Sequence, residues 1–195
     1  MKTEILSLNR DTKETKISAQ ILLYGTGKCE ISTGIGFFNH MLEAFAKHSL
    51  IDLKLDCRGD LEVDFHHSVE DVGIVIGLLL KEALYPLSGV ERFANSVVAM
   101  DEAAVSCVID LGNRAFLVYE NFNESGKVGE FDVELVEEFF RAVCFNANIT
   151  LHLKKERGKN AHHVIEATFK AFAVALRRAL TQNSRIATPS TKGVL

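Results

Sequence analysis

Two stretches of the chain have the same organisation, HHSVEDVGIVIGLLLKEAL at residues 66–84 and HHVIEATFKAFAVALRRAL at residues 162–180. Both begin with HHxxE, both end in Ala-Leu, and they align without a gap. Their apolar residues recur at helical spacing, so each stretch is predicted to form a helix. Because self-similarity within one chain indicates a repeated structural unit, the pair predicts an internal duplication.

The repeat extends upstream of both helices. LIDLKL at residues 50–55 matches NITLHL at residues 148–153, and in each the apolar and polar side chains alternate as in a half-buried strand. Further upstream, NHMLEAFAKH at residues 39–48 falls opposite EEFFRAVCFN at residues 137–146, and both have helical spacing. We therefore predict an α+β fold that contains two copies of a β-β-α-β-β-α unit.

The length and composition fit this prediction. Two half-domains, residues 1–90 and 91–195, would together form one compact catalytic domain, because 195 residues suffice for a shared core. Hydrophobic residues make up 47% of the chain and charged residues 25%, which excludes disorder as its main property. The net charge is −4 and no run of Lys or Arg exceeds two residues, so we expect no nucleic-acid partner.

The N-terminal sequence and the cysteines indicate the compartment. Residues 1–16 are charged throughout and lack the apolar stretch of a secretory signal. The longest apolar stretch, residues 72–80, is much shorter than the ~20 residues that span a bilayer. The four cysteines form no C-x-x-C pair and are irregularly spaced, at Cys29, Cys57, Cys107 and Cys144. We expect a soluble, cytoplasmic protein with reduced thiols and no membrane partner.

The HHxxE motifs are candidate metal sites. On a helix, the first histidine and the glutamate lie on one face, whereas the second histidine points about 100° away. Imidazole and carboxylate together suit Mn, Fe, Zn or Co. A single motif of this kind is more typical of an exposed helix start, where a glutamate also suits the helix dipole. Two motifs at equivalent positions of a duplicated unit instead favour two metal ions.

The repeat alignment adds one donor to each copy. His40 lies 26 residues before His66, and Glu138 lies 24 residues before His162. Eight donors result, enough for two octahedral metals with open positions: His40, His66, His67 and Glu70 in the first copy, and Glu138, His162, His163 and Glu166 in the second. The alternatives are that His40 is an ordinary helix-face residue and that Glu138 belongs to a solvated, acidic first helical turn.

Two further histidines have simpler explanations. His152 alternates with two leucines, so we expect it to face solvent from a strand. His48 is placed to close the first helix as a C-terminal cation, and a functional role for it is equally open.

Motifs along nearly the whole chain carry a resemblance to a known family. They are KETKI (13–17), GxGFFNHML (34–42), HHSVED (66–71), ERF (91–93), MDE (100–102), HHVIEATFKA (162–171) and the terminal PSTKGVL. The sequence resembles the imidazoleglycerol-phosphate dehydratases of histidine biosynthesis. The resemblance implies two pseudo-symmetric halves, similar to a domain of a small-subunit ribosomal protein, with helices between two four-stranded sheets. It also implies two Mn²⁺ per active site and a homo-oligomer of twenty-four subunits with sites between subunits.

The resemblance also assigns roles to individual residues. Ligand roles carry over to all the metal candidates except Glu138, where many family members have histidine; we expect a site with a more negative set of ligands and altered affinity. Glu14 and Glu166 are the implied catalytic residues. The implied substrate contacts are Glu14, His40, His48, Arg92, Arg114, Lys170, Ser190, Thr191 and Lys192. From the sequence alone, Glu14 would be assigned as a solvent-exposed charge, and only the resemblance favours a catalytic role. Lys170 is also consistent with a solvated helix position and an ion pair with Glu166.

The implied reaction removes water from D-erythro-imidazoleglycerol phosphate and gives imidazole-acetol phosphate. The proton that is lost is not next to a carbonyl, so the imidazole ring must serve as the electron source. A metal on each ring nitrogen would favour the imidazolate, which can expel the hydroxyl through a diazafulvene-like intermediate. Two alternatives stay open, a di-metal hydrolase and a non-catalytic metal-binding shell. Arg92, Arg114 and Lys192 argue against the metal-binding shell, because metal storage requires no phosphate-binding cations. The histidine-rich, duplicated donor set argues against the hydrolase, whose sites often use bridging aspartates.

Overall fold

The computed structural model describes residues 1–193, which form two similar halves of one sheet and two helices each. The first half contains β1 (Leu6–Asp11), β2 (Thr15–Leu22), β3 (Cys29–Ser32), α1 (Gly36–Ser49), β4 (Asp52–Gly59) and α2 (His66–Leu84). The second contains β5 (Phe93–Met100), β6 (Ala103–Asp110), β7 (Phe116–Glu120), the short strands β8 (Lys127–Val128) and β9 (Phe131–Asp132), α3 (Leu135–Ala147), β10 (Thr150–Arg157) and α4 (Ala161–Ala179).

The two four-stranded sheets have the same topology. Their strand orders are β1-β2-β4-β3 and β5-β6-β10-β7. In each sheet the last pair is parallel and the other neighbours are antiparallel. The predicted α+β class and the internal duplication are therefore confirmed.

The predicted order of elements within the unit is wrong. The chain follows β-β-β-α-β-α in each half, with the short β8–β9 pair added before α3, and not β-β-α-β-β-α. The strands that the prediction missed are the edge strands β1 and β5; β1 buries only Leu6 fully, and β5 buries only Ser96 fully. A second strand before α2 does not form, because residues 60–65 turn and Asp64 accepts a hydrogen bond from the first backbone N–H of the helix. Edge strands need only a weak apolar pattern, which explains the error.

Four helices fill the space between the sheets. Helix α2 packs on β1, β2 and β4, α4 packs on β5, β6 and β10, and the helices pair as α1 with α4 and α2 with α3. Phenylalanines join the layers: the ring of Phe139 lies 5.1 Å from that of Phe169 and 5.4 Å from that of Phe38. Each fully buried side chain of this size contributes roughly 1.5–3 kcal/mol. These contacts fix the helices in place, and the HHxxE motifs lie at the N-termini of α2 and α4.

Close contact between α2 and α3 depends on glycines. A Cβ on Gly73 would lie 2.9 Å from the carbonyl oxygen of Phe139, and one on Gly77 would lie 2.8 Å from that of Val143. Glycine is unfavourable inside a helix by about 1 kcal/mol relative to alanine. Close packing offsets this cost, because two residues without a Cβ let the α3 backbone approach α2.

Two expectations about the whole chain can be compared with the structure. Within residues 1–193, none of the helices has the length and apolar character needed to cross a membrane. All four cysteines are free, and three of them are buried while Cys29 is exposed.

Candidate metal and substrate site

Side chains just before both HHxxE helices accept hydrogen bonds from their first backbone N–H groups; Asn160 is the N-cap residue of α4, and Asp64 lies one residue before the N-cap of α2. The carboxylate of Asp64 accepts a hydrogen bond from the backbone N–H of His66 at 2.7 Å. The side-chain oxygen of Asn160 accepts from the N–H groups of His162 at 3.0 Å and His163 at 3.4 Å. Such caps satisfy donors that have no partner within the helix. Both histidine pairs are therefore held on an ordered first turn.

The first metal-binding group joins α1 to α4. Donor atoms of His40, His162 and Glu166 all lie within 4.8 Å of one another. Glu166 Oε2 is 3.5 Å from His40 Nε2 and 3.2 Å from His162 Nε2. Two imidazoles and one carboxylate at this spacing are a suitable donor set for a divalent transition metal. The structure thus brings together three of the eight predicted ligands.

Glu166 is ionised in this group although it is buried. Burial raises the pKa of Glu166, but the hydrogen bond and charge of Lys170, followed by the charge of His40, outweigh it, so its pKa lies below the ordinary value. Lys170 Nζ lies 2.6 Å from Glu166 Oε1. A carboxylate that stays charged at neutral pH is ready to bind a cation. Lys170 therefore forms the ion pair that its spacing predicts.

A second, pseudo-symmetric set joins α3 to α2. His66 Nε2 lies 3.9 Å from Glu70 Oε2, and Glu70 and Glu138 line the same surface depression. Glu138 Oε2 lies 3.8 Å from Arg141 Nε. Among residues 1–193, the group around Glu166 is the one in which three donors are gathered, so Glu138 is not drawn together with His66 and Glu70. Glu70 thus lies near both His66 and Glu138, but the three donors do not form a compact group.

The second histidine of each motif faces away from these groups and binds a carboxylate. His67 Nδ1 lies 3.0 Å from Asp60 Oδ2, and His163 Nδ1 lies 2.7 Å from Glu102 Oε2. These hydrogen bonds, more than any other contact, raise the pKa of both histidines. Histidines that ligate metals commonly hold the other ring nitrogen in this way. The two Nε2 atoms are left as donors, so the chemistry of the donor set fits a metal.

Asp60 and Glu102 are the functional residues that sequence reasoning missed. The bond to His163 and the backbone N–H of Asn160 lower the pKa of Glu102 to about 2. Asp60 lies seven residues before its histidine, whereas Glu102 lies 61 residues before its own. No common spacing links the two pairs. Only the MDE match at residues 100–102 singled out one of them.

Basic and hydroxyl side chains gather at a separate depression. The residues of the predicted phosphate site that line it are Arg92, Arg114, Ser190, Thr191 and Lys192. Arg92 donates to the carbonyl oxygen of Pro189 at 2.6 Å, and its guanidinium also bonds Asp110. The C-terminal segment is thereby joined to the start of β5. Val194 and Leu195, which belong to the terminal motif, lie outside the described residues.

The remaining candidates lie elsewhere. Glu14 is exposed, and its Oε1 is 3.7 Å from His67 Nε2. His48 is in the last turn of α1, where burial lowers its pKa and the charges of Lys170 and Arg177 lower it further. His152 is exposed between two buried leucines, as its alternation predicts.

The fold and the site define a class: a duplicated α+β protein with paired HHxxE helices and a histidine–carboxylate group suited to a metal. The family model for imidazoleglycerol-phosphate dehydratase matches residues 33–176. The chain belongs to the imidazoleglycerol-phosphate dehydratase family. It is a hydro-lyase of histidine biosynthesis, and the dehydration of imidazoleglycerol phosphate is the family's reaction.

Individual relatives support the assignment over the full length. The imidazoleglycerol-phosphate dehydratase of Campylobacter curvus is 73% identical over 195 residues and covers 100% of both chains. That of Helicobacter hepaticus is 59% identical over 199 residues, covering 100% of this chain and 98% of its own. The crystal structure of the Staphylococcus aureus enzyme has a TM-score of 0.84 at 41% identity and covers 92% of this chain and 100% of its own. The Pyrococcus furiosus structure gives 0.82 at 37%, covering 96% and 100%.

Proposed function

We propose that the protein converts D-erythro-imidazoleglycerol phosphate to imidazole-acetol phosphate in the cytoplasm, with two Mn²⁺ per active site. The observation that carries the metal proposal is the group formed by His40, His162 and Glu166. Metal ions bound there would stabilise negative charge on the substrate imidazole, so that the ring could serve as the electron source of the reaction. The ring would then expel the neighbouring hydroxyl, which would give a diazafulvene-like intermediate.

Each metal would be held by one pseudo-symmetric set and completed from another subunit. His40, His162 and Glu166 form one set, and His66, Glu70 and Glu138 form the other. The orientation of His67 and His163 supports a contribution of ligands from another subunit, because a carboxylate holds each histidine away from the metal-binding set of its own chain. Sites of this kind lie between subunits and make assembly and activity inseparable.

An exposed apolar sheet face supports assembly of the chain, which we propose reaches twenty-four subunits. Phe93, Val97, Val108 and Phe116 are each more than half exposed on the second sheet. An apolar surface of this kind is typical of protein–protein contact. Removing the metal should dissociate the assembly, and sedimentation of chelated protein measures this directly; an unchanged sedimentation coefficient would contradict it.

Proton transfer is assigned to Glu14, and Glu166 takes part as a charged ligand. Glu14 is exposed and faces His67, so a substrate held by that histidine's metal would come within its reach. Glu166 has a lowered pKa and a lysine partner, which suits it to hold a cation rather than to donate a proton. His48 and Lys170 are proposed to contact the substrate beside Glu166.

The phosphate of the substrate is assigned to the basic depression. The side chain of Arg114 is 71% exposed there, and Ser190, Thr191 and Lys192 line the same surface. Charge-assisted donors of this kind are what a phosphate requires in a protein of net negative charge. We propose that residues 189–193 close over the phosphate.

The test is an assay of metal-stripped protein for imidazole-acetol phosphate, with and without added Mn²⁺. Turnover that depends on Mn²⁺ is the expected result. A metal-loaded assembly without turnover would overturn the proposed substrate and leave a di-metal hydrolase or a metal-binding shell. Hydrolysis of phosphate esters by the same protein would identify the former.

A further inference from the structure

A buried polar network joins the β1–β2 turn to helix α2. Asp71 is 6% exposed and Thr15 is 1% exposed. One carboxylate oxygen of Asp71 accepts from Arg10 Nη2 at 2.9 Å, and the other accepts from the Thr15 hydroxyl. Desolvating an ion pair is costly, and replacing it by packed apolar residues is often neutral or stabilising. Stability alone therefore does not explain the network.

The network is directly connected to Glu14. Thr15 follows Glu14 in the chain, and the Thr12 hydroxyl accepts from the backbone N–H groups of both residues. The carbonyl oxygen of Glu14 accepts from the backbone N–H of Asp60 at 3.1 Å. Asp60 is also the residue whose carboxylate holds His67. The backbone of Glu14 is thus fixed from both sides, in register with the histidine that its carboxylate faces.

The duplication supplies an internal comparison for the three residues. Thr15 and Ala103 are the first residues of β2 and β6, which have the same length and the same place in their sheets. Asp71 and Ala167 each follow the glutamate of HHxxE. Arg10 pairs with the third residue of β2, and Val98 pairs with the third residue of β6. Arg10, Thr15 and Asp71 therefore correspond to Val98, Ala103 and Ala167.

The neighbours of two glycines, one in each half, support this equivalence. A Cβ on Gly59 would contact Thr15 and the hydroxyl of Ser68, and a Cβ on Gly158 would contact Ala103 and Val164. Ala103 and Ala167 are buried like their counterparts. At these three positions the second half thus packs the same strands against the same helix with apolar side chains. The fold does not require the polar network, and only the half that carries Glu14 has it.

We propose that Thr15 and Asp71, supported by Arg10, are positioning residues that hold Glu14 for proton transfer. The proposal rests on the proposed acid–base role of Glu14. Since a carboxylate must reach its proton at hydrogen-bond distance, a small displacement of its turn lowers the rate more than it weakens substrate binding.

The first experiment compares Thr15→Val with Thr15→Ser in the Mn²⁺-loaded assembly. Valine keeps the shape and loses the hydroxyl, so kcat should fall at least about tenfold, while KM changes less than about twofold and the bound metal is unchanged. Serine restores the hydroxyl and should recover kcat to within about threefold of the original. Unchanged kcat in Thr15→Val would overturn the proposal.

Ser96→Ala is the matched control. The Ser96 hydroxyl is buried and donates to the carbonyl oxygen of Ala171 at 2.7 Å, so this variant also removes a buried hydrogen bond between a strand and a helix, far along the chain from Glu14. It should lower thermal stability and leave kcat unchanged. An equal loss of kcat in both variants would show that the effect of Thr15 is structural.

A double variant tests whether Thr15 acts through Glu14. In a Glu14→Gln background, Thr15→Val should cause no further loss, because the group that it positions is already inactive. Full multiplication of the two losses would overturn the proposal. Asp71→Asn should behave as Thr15→Val does, if the variant folds.

Hydrogen exchange provides a readout that does not depend on turnover. Thr15→Val should accelerate amide exchange in residues 11–16, whereas Ser96→Ala should not. Absence of turnover in the unmodified protein would refute the proposed function, and this measurement would still decide the positioning. Unchanged exchange in residues 11–16 of Thr15→Val would overturn it.

Discussion

Replacing Gly77 with alanine should destabilise the protein, although alanine is the better helix former. The gain in helix propensity is about 1 kcal/mol. The added methyl group would lie 2.8 Å from the carbonyl oxygen of Val143, 3.2 Å from the backbone nitrogen of Ala147 and 2.7 Å from the Cβ of Asn146. Two of these are backbone atoms of α3, which move only if the whole helix moves. Overpacking of this kind costs typically about 1–3 kcal/mol, so after subtracting the gain in helix propensity we expect a net loss of about 1 kcal/mol, and at most about 2 kcal/mol.

The displacement should also reach the metal ligands. Helix α3 carries Glu138 and α2 carries Glu70, and the glycines set the distance between the two helices. Gly73→Ala, one turn nearer to Glu70, should therefore weaken the proposed metal site that includes Glu70 and Glu138. The site at Glu166 lies between α1 and α4 and should keep its affinity.

Chemical denaturation of the metal-free protein measures the stability effect, and the protein concentration must be equal for all variants because assembly contributes to stability. Gly36→Ala is the control, since a Cβ there meets no atom within 4 Å at the start of α1. It should be neutral or slightly stabilising. If Gly77→Ala raises the denaturation midpoint as much as Gly36→Ala does, the proposed closeness of α2 and α3 is wrong.

Three further predictions concern the site. Glu138→His should make the two proposed metal sites more alike, so that Zn²⁺ displaces Mn²⁺ from both at closer concentrations, as measured by Mn²⁺ EPR. Glu130→His, at an exposed turn, should have no such effect. Arg114→Ala should raise KM at least about tenfold with the metal content unchanged, and an unchanged KM would remove Arg114 from the phosphate site. The metal-free Glu102→Gln variant should lose most stability relative to the original between pH about 4.5 and 6.5. Because the pKa of Glu102 is lowered, the stabilisation by its carboxylate is lost as the pH falls toward 2. Because the pKa of His163 is raised, the stabilisation by its charged ring is lost as the pH rises above the ordinary pKa of histidine. Thermal melts across about pH 2–8 should therefore show that the stability difference between the variant and the original shrinks at both ends of the range.

The sequence predicted what depends on burial and spacing. The duplication was visible because equivalent core positions keep apolar side chains at helical or strand spacing in both copies, and the HHxxE ligands follow from i, i+4 geometry. Edge strand β1 was missed because it has few apolar residues to bury. Asp60 and Glu102 were missed because their contacts with His67 and His163 depend on how turns meet helix ends, which no sequence period encodes.

The two halves separate what the fold requires from what the chemistry requires. Most positions that face the core keep their apolar character in both halves, with Thr15 and Asp71 as exceptions, whereas several site positions have diverged. Glu166 has Lys170 four residues later, but Glu70 has Ile74 at the same spacing. His40 similarly corresponds to Glu138, which has Arg141 beside it. The cation beside Glu166 thus lies on α4, and the cation beside Glu138 lies on α3. Since the scaffold accommodates both arrangements, exchanging Lys170 and Ile74 between the halves should change metal binding while the fold persists.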